Sequence, residues 1–481
     1  MKIAVIGSGF GGLTAALLLA HKGHEVHVYE KEGTSGGKAG ELQLGKYRFD
    51  TGPSLLTMPH VFEDIFKQVG KNFSEYVPYK ELEVLCKYWF ADGLELSTYS
   101  DKEKLFDELT SKTDVTKKDL ERYFAHTKKI YDFTSPAFMY KPFMDAKKFD
   151  PASIKILFNL GKLDPFRSMH KANTKFFSDP HLVQLFDRYA TYVGSNPFVC
   201  PATLNIVSQV EYKYGGYYPL HGIYSIITGV LKACKEEGVQ IHLNAPVQKL
   251  LLENQSVTGL QVKGKKHTFD RVVAGVDVTS LYSDLVKEET PMRKKYAQLE
   301  PSSSALVFYW GVKGKYPQLD AHNIFFTADY KEEFDALFNR KTICDDPTVY
   351  ISISSKYNHK DAPKDGENWF VMVNAPHIDG QDWDKLVQKQ RTVIKEKLEG
   401  ILGPIEIVEE SILTPENIMH NTAANKGGIY GTSSNAKMAA YLRHKNISPL
   451  TNLYCCGGST HPGGGMTMSA LSGTFVARLL K

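Results

Sequence analysis

Gly7, Gly9 and Gly12 stand in a G-x-G-x-x-G pattern between an apolar run, Lys2 to Ile6, and a segment of helical character, Leu13 to His21. Each glycine answers a separate need. Gly7 permits a tight turn out of a strand, Gly9 lets backbone approach a pyrophosphate, and Gly12 allows close packing of helix on strand. The helix start then offers free N–H groups and the positive end of its dipole to the phosphates. Glu30 closes a second apolar run, Glu25 to Tyr29, at the spacing where an acid accepts hydrogen bonds from ribose hydroxyls. Its charge repels a 2′-phosphate, which argues against NADP. Glycines alone would mean no more than a tight turn. Strand, glycines, helix, strand and terminal acid together predict a dinucleotide-binding β-α-β unit, with the adjoining Lys31 beside the ligand.

Three further clusters suit the same ligand. Gly36-Gly37-Lys38 would let backbone approach the cofactor while the lysine offsets phosphate charge; taken alone it is a flexible loop with a solvated lysine. Asp50-Thr51-Gly52-Pro53-Ser54 is a strong turn signal. The stretch from Gly457 to Thr467 holds five glycines, two of them Gly457-Gly458 and three Gly463-Gly464-Gly465. So many glycines cost backbone entropy. They make sense if the chain passes flat against a planar ligand, with the helix that follows aiming its N-terminus there. Reduced flavin carries negative charge that such a helix end would stabilise.

The elements that must position these residues can be read from periodicity. Val84–Phe90 and Leu94–Tyr99 predict a hairpin turning at Asp92-Gly93. From about Lys117 to Tyr212 the pattern is helical. Strand character returns at 239–243, 247–252, 258–262 and 271–274, then at 305–312, 349–353 and 369–373, and finally at 453–456. The dinucleotide domain is thus expected from residues 1–80, 221–285 and 411–481. A helical substrate region would occupy 81–220 and a substrate-domain sheet 286–410. Net charge is +4 over 481 residues, too mild to argue for nucleic acid. The six cysteines form no CxxC pair and no disulfide framework, and no HExxH or paired-His spacing points to a metal. Glycines interrupt the N-terminal apolar run, so it does not resemble a signal peptide. No stretch reaches the roughly 20 apolar residues that span a bilayer, so any membrane contact is expected to be peripheral, from the cytoplasmic side.

The fingerprint, Gly36-Gly37-Lys38, the run Asp50 to Pro59, Gly194-Ser195-Asn196-Pro197-Phe198, Tyr217 to Gly222 and Gly458 to Gly465 resemble the bacterial phytoene desaturase family of carotenoid desaturases, nearly end to end. His221 departs from the glycine common at its place. The resemblance implies FAD in an α/β, Rossmann-like domain of the p-hydroxybenzoate hydroxylase and amine oxidase type. An α+β substrate domain, a helical membrane-facing insertion and a long hydrocarbon substrate come with it. The wording Thr51-Gly52-Pro53-Ser54-Leu55-Leu56-Thr57-Met58-Pro59 is similar to 3,4-desaturases of hydroxylated carotenoids rather than to phytoene desaturases. The family's cofactor contacts fall here on Gly7, Gly9, Gly12, Glu30, Lys31, Gly37, Lys38, Thr51, Gly52, Pro53, Ser54, Val247, Asp277, Gly458, Met466 and Thr467.

A C–H bond beside a polyene is too weakly acidic for a side-chain base to act first. Hydride loss to flavin, leaving an allylic cation, is the expected opening step, and proton loss then needs only a weak base. The protein's part is positioning in a dry tunnel. Arg167 resembles a family arginine near the substrate, and Asp164, one helical turn earlier, could accept a proton or simply pair with it. His461 could be a base or could pack the glycine loop. Between Met139 and Lys175, basic residues (Lys141, Lys147, Lys148, Lys155, Lys162, Arg167, Lys171, Lys175) alternate with apolar ones (Phe143, Phe149, Ile154, Ile156, Leu157, Phe158, Leu160). That mixture suits an anionic lipid surface, or else a solvated helix face. Rival readings are a phytoene desaturase, a flavin amine oxidase, and a flavin-free prenyl carrier like Rab GDP-dissociation inhibitors, which the intact fingerprint disfavours.

Overall fold

The run Lys2–Ile6 is the central strand of a five-stranded parallel sheet. The strand order is Leu453–Cys455, Arg271–Ala274, Lys2–Ile6, Glu25–Tyr29, Gln240–His242. Parallel neighbours need long crossovers, and here the chain leaves and returns from distant parts of the sequence. Ile3, Ala4 and Val5 are fully buried, as expected for a strand covered on both faces. The computed structural model describes residues 1–142, 163–287, 290–436 and 443–480.

The helix Phe10–His21 is buried from Phe10 to Leu19, too apolar all round to be a surface element. The C-terminal helix Met466–Leu479 packs on it. The contact depends on glycine. A Cβ on Gly473 would lie 2.3 Å from the Gly11 carbonyl oxygen, and one on Gly11 would lie 2.8 Å from the Gly457 nitrogen. This close approach holds the last glycine-rich turn beside the first.

A second, seven-stranded sheet runs in the order Glu406–Leu413, Ser304–Lys313, Gly366–Ala375, Val349–Ser352, His322–Phe325, Val84–Trp89, Glu95–Tyr99. All its pairs are antiparallel except His322–Phe325 with Val84–Trp89. The last two strands make the hairpin, whose turn holds Gly93 at φ +92°. The side-chain period of two sorts Ser304–Lys313 between two environments. Leu306, Phe308, Trp310 and Val312 pack toward the helix Trp383–Leu402. Ala305, Val307 and Tyr309 face the other way.

A helical layer covers the far side of the hairpin, with Lys117–Thr134, Pro180–Asp187 and Ile206–Tyr214 among its members. Thr116 and Asp119 close a reciprocal capping box at the start of Lys117–Thr134. Tyr123, Phe177 and Phe186 anchor this layer's core. Among the described residues no helix is long and apolar enough to cross a membrane. Of the basic and apolar stretch, residues 143–162 lie outside the described residues. Lys141, Lys171 and Lys175 are exposed, and Phe166 is 74% exposed.

Candidate functional site

The two sheets and the helical layer enclose a continuous cavity of about 950 Å³. One part of its wall is built from the glycine turns, the other from apolar strands and helices. Of the residues singled out in the sequence as cofactor contacts, all but Gly12 line it: Gly7, Gly9, Glu30, Lys31, Gly37, Lys38, Thr51, Gly52, Pro53, Ser54, Val247, Asp277, Gly458, Met466 and Thr467. Gly12 packs instead, its Cβ position only 2.1 Å from the Gly7 carbonyl oxygen.

Gly7 has φ +88°, a conformation that needs glycine. Gly9 caps the N-terminal helix, and a Cβ there would meet nothing nearer than the Gly36 carbonyl oxygen at 3.9 Å. Around the turn the backbone is therefore tight at Gly12 and open at Gly9, where the open side is the cavity. The Glu30 carboxylate accepts from the Ser8 N–H at 2.8 Å and from the Ser8 hydroxyl at 2.7 Å. It is 6% exposed, and what it exposes faces the cavity. A Cβ on Gly52 would fall 1.9 Å from the Lys38 carbonyl oxygen, so the two loops can pass only because residue 52 is glycine.

Lys38 is surrounded by protein yet retains exposed surface, because that surface faces the cavity. Its ammonium donates to the carbonyls of Ile429 at 2.7 Å and Gly428 at 3.3 Å. Burial lowers its pKa to about 8, partly offset by the charge of Asp277. Burial also raises the Asp277 carboxyl, against the pull of Lys38. Arg443 completes the cluster, donating to the carbonyls of Tyr430 at 2.9 Å and Gly458 at 3.1 Å. The wall here thus carries two cations and one acid. Sequence reasoning missed Arg443, an isolated arginine more than 400 residues from Lys38 with no local pattern around it.

The C-terminal helix begins at Met466 after Gly465, where φ is +98° and a Cβ would meet nothing within 4 Å. Its first N–H groups face the cavity with Met466 and Thr467. The Thr467 hydroxyl donates to the Thr57 carbonyl at 3.0 Å, tying this helix start to the 51–58 loop. His461 does not line the cavity. Its Nε2–H donates to the Lys141 carbonyl at 2.9 Å, and its ring packs on Phe138 and Phe475, a packing role. Burial lowers its pKa to about 4.

Asp164 and Arg167 are not among the residues that line the cavity. They form an ion pair at 2.6 Å, and His126 lies 3.6 Å from the same carboxylate. The expectation of one helical turn between them is corrected. They sit in the loop before the helix Met169–Phe176, with Asp164 at φ +54°. What the cavity does carry, unseen in the sequence, is Arg188, Glu211, His322, Tyr330 and Tyr350 on its apolar part.

These residues fit FAD by their own geometry: an open backbone at Gly9 and Gly465, two helix N-termini, a buried carboxylate and two cations on one wall. Residues 10–481 match the family of flavin containing amine oxidoreductases, and the chain belongs to that family. It is an FAD-dependent oxidoreductase. It is 39% identical over 488 residues to a 1-hydroxycarotenoid 3,4-desaturase of Flavobacterium sp. (strain P99-3), covering 100% of this chain and 99% of the relative. A 4,4'-diapolycopene oxygenase of Methylomonas sp is 34% identical over 99% of this chain and 97% of its own length. Among solved structures, an oxidoreductase from Methanosarcina mazei superposes with a TM-score of 0.69 at 16% identity, covering 99% of this chain and 100% of the other. That likeness supports the fold alone.

Proposed function

We propose that this chain desaturates a carotenoid, removing two hydrogens from the C3–C4 bond of a 1-hydroxylated end. The observation that carries the reading is the continuity of the cavity, which joins the glycine-framed wall to a wall of apolar strand and helix residues. Full-length similarity to a 1-hydroxycarotenoid 3,4-desaturase supports the choice of substrate. FAD bound at the glycine-framed wall supplies a two-electron acceptor.

The chain's own residues hold and exclude. Gly7 and Gly9 would admit the pyrophosphate, with Gly12 keeping the helix close enough for its N–H groups to reach it. Glu30 would receive the ribose hydroxyls, with Lys31 and Val247 lining the same cavity. Lys38 and Arg443 would offset the phosphate charge, with Asp277 balancing part of theirs. Gly37, the segment Thr51 to Ser54, Gly458, Met466 and Thr467, which line the same cavity, would lie around the ring system. Val307, Ile324, Tyr309 and Phe370 keep the substrate end dry and oriented. Of the two hydrogens, one leaves with its bonding electrons and the other as a proton. The cation between the two steps is spread over the polyene, so no strong base is required. Arg167 and Asp164 support the segment that leads to the helical layer. The exposed Phe166, Lys171 and Lys175 suit a protein that rests on an anionic bilayer and takes its substrate from it.

The test is anaerobic mixing of the purified holoenzyme with liposomes carrying one carotenoid at a time, followed by product analysis. A hydroxylated acyclic carotenoid should bleach the flavin and gain one double bond. Preference for phytoene would overturn the subfamily and leave the desaturase reading in place.

A further inference from the structure

A buried arginine is out of place on the wall of a cavity that takes a hydrocarbon. Arg188 is 5% exposed and lines the cavity at the end of the helix Pro180–Asp187. Its Nη1–H donates to the Tyr192 hydroxyl at 2.9 Å, and its guanidinium stacks over Tyr189 at 4.4 Å and faces Tyr88 at 5.3 Å. Glu211 balances its charge with Nη2 at 3.6 Å, and is itself held by the hydroxyls of Tyr189 at 2.6 Å and Tyr192 at 3.1 Å. Arg188 Nε and Nη2 make no hydrogen bond among the described residues.

His322 enters the same cavity from the first residue of an interior strand of the seven-stranded sheet. It is 3% exposed. Its Nδ1 lies 2.7 Å from the Tyr350 hydroxyl, which lies 2.6 Å from the Ser54 hydroxyl. His322 Nε2 and the Tyr330 hydroxyl also lack partners among the described residues. Buried polar atoms are nearly always paired, so three side chains with unpartnered atoms on one cavity wall call for a common ligand. Burial keeps the imidazole neutral, its pKa lowered to about 4. Its free nitrogen therefore donates or accepts according to which way the Tyr350 hydroxyl turns.

We propose that Arg188, His322 and Tyr330 form a recognition site for an uncharged oxygen, hydroxyl or carbonyl, near the reacting end of the polyene. Arg188 is already neutralised by Glu211, so a carboxylate ligand would bring a second anion against the first. The hydrogen-bonded path His322–Tyr350–Ser54 ends in the loop that lines the glycine-framed wall. An oxygen held there would fix how the polyene lies along the cavity, and so which bond reacts. Tyr350 and Ser54 are positioning residues that orient the imidazole. The inference rests on the desaturase reading above.

The experiment uses holoenzyme mixed anaerobically with liposomes carrying one of three polyenes of equal length: the hydrocarbon, the terminal tertiary alcohol and the terminal aldehyde. Flavin reduction at limiting substrate gives the oxygenated-to-hydrocarbon preference. Wild type should prefer at least one oxygenated polyene by tenfold or more, and the alcohol and aldehyde arms show which oxygen is read. His322→Leu should lower that preference about tenfold, the worth of one hydrogen bond in a dry site. Tyr350→Phe, which keeps the ring, should lower it about threefold. Arg188→Gln is made together with Glu211→Gln so that no carboxylate is stranded, and should also lower the preference. Flavin occupancy shows that each variant is folded. Equal rates with all three polyenes in wild type, or a preference unchanged in His322→Leu and in the double variant, would overturn the inference alone. Reduction by none of the three removes the desaturase reading and this inference together.

Discussion

Replacing Gly9 with valine separates cofactor binding from folding. The backbone there has φ −74° and ψ 179°, which valine adopts without strain. The nearest atom to a new Cβ beyond its chain neighbours is the Gly36 carbonyl oxygen at 3.9 Å, so the side chain projects into the cavity and displaces no protein. As a poorer helix cap, valine costs the fold about 1 kcal/mol or less. For the pyrophosphate the change is larger, because three carbons occupy the space its closest approach uses. Overpacking of that kind costs about 1–3 kcal/mol, or roughly 5- to 150-fold in affinity. Gly12→Val is the contrasting variant. Its Cβ would lie 2.1 Å from the Gly7 carbonyl oxygen, so it should destabilise the fold itself. The assay is flavin absorbance per protein after purification, with thermal unfolding of both apoproteins. Gly9→Val should unfold near the wild-type temperature while losing flavin. Full occupancy in Gly9→Val would refute the placement of the pyrophosphate.

Lys38 titrates at about 8 in the folded chain because burial disfavours its charge, against an ordinary value of 10.5. A depressed lysine binds fewer protons folded than unfolded, so its contribution makes the apoprotein gain stability from about pH 8 to 10.5. The charged form is the one that attracts phosphate, so FAD affinity should weaken as pH rises through about 8. Lys38→Met should bind more weakly and lose that pH dependence in an equilibrium titration of apoprotein. Arg167→Ala, outside the cavity wall, should change the rate of flavin reduction less than about threefold; a larger loss would place it in the substrate path. Sedimentation with anionic liposomes should be strong at low salt and partly reversed at high salt. Binding that ignores salt would assign it to apolar insertion.

The cofactor wall was legible because its signals are local. Glycine at 12 and 52 is demanded by backbone contacts and at 7 by a positive φ, glycine at 9 leaves its backbone open to the cavity, and Glu30 follows at the fixed distance of one β-α-β unit. The hairpin at Asp92-Gly93 was legible for the same reason. The substrate wall was not. Arg188, Glu211, His322 and Tyr350 come from a helix end, a second helix and two strands, and they meet only through sheet register and helix packing. Nothing in their neighbours marks them. Arg443 stayed hidden likewise, since its partners are carbonyls of Tyr430 and Gly458. The pairing of Asp164 with Arg167 could be read from spacing, but not the left-handed backbone at Asp164, which removes it from a helix. For His461 the packing alternative is the one the structure bears out, though its partners Phe138 and Phe475 could not be seen in the sequence.

The central claim is that a carotenoid, taken from a membrane, gives up two electrons in this cavity. Single-turnover mixing of oxidised holoenzyme with carotenoid-loaded liposomes, without oxygen, tests it most directly. The flavin's visible band should bleach with a hydroxylated acyclic carotenoid, in step with a red shift of the polyene as one double bond forms, and deuterium at the carbon that loses hydride should slow both. A flavin that stays oxidised with every carotenoid offered, membranes present, would contradict the account.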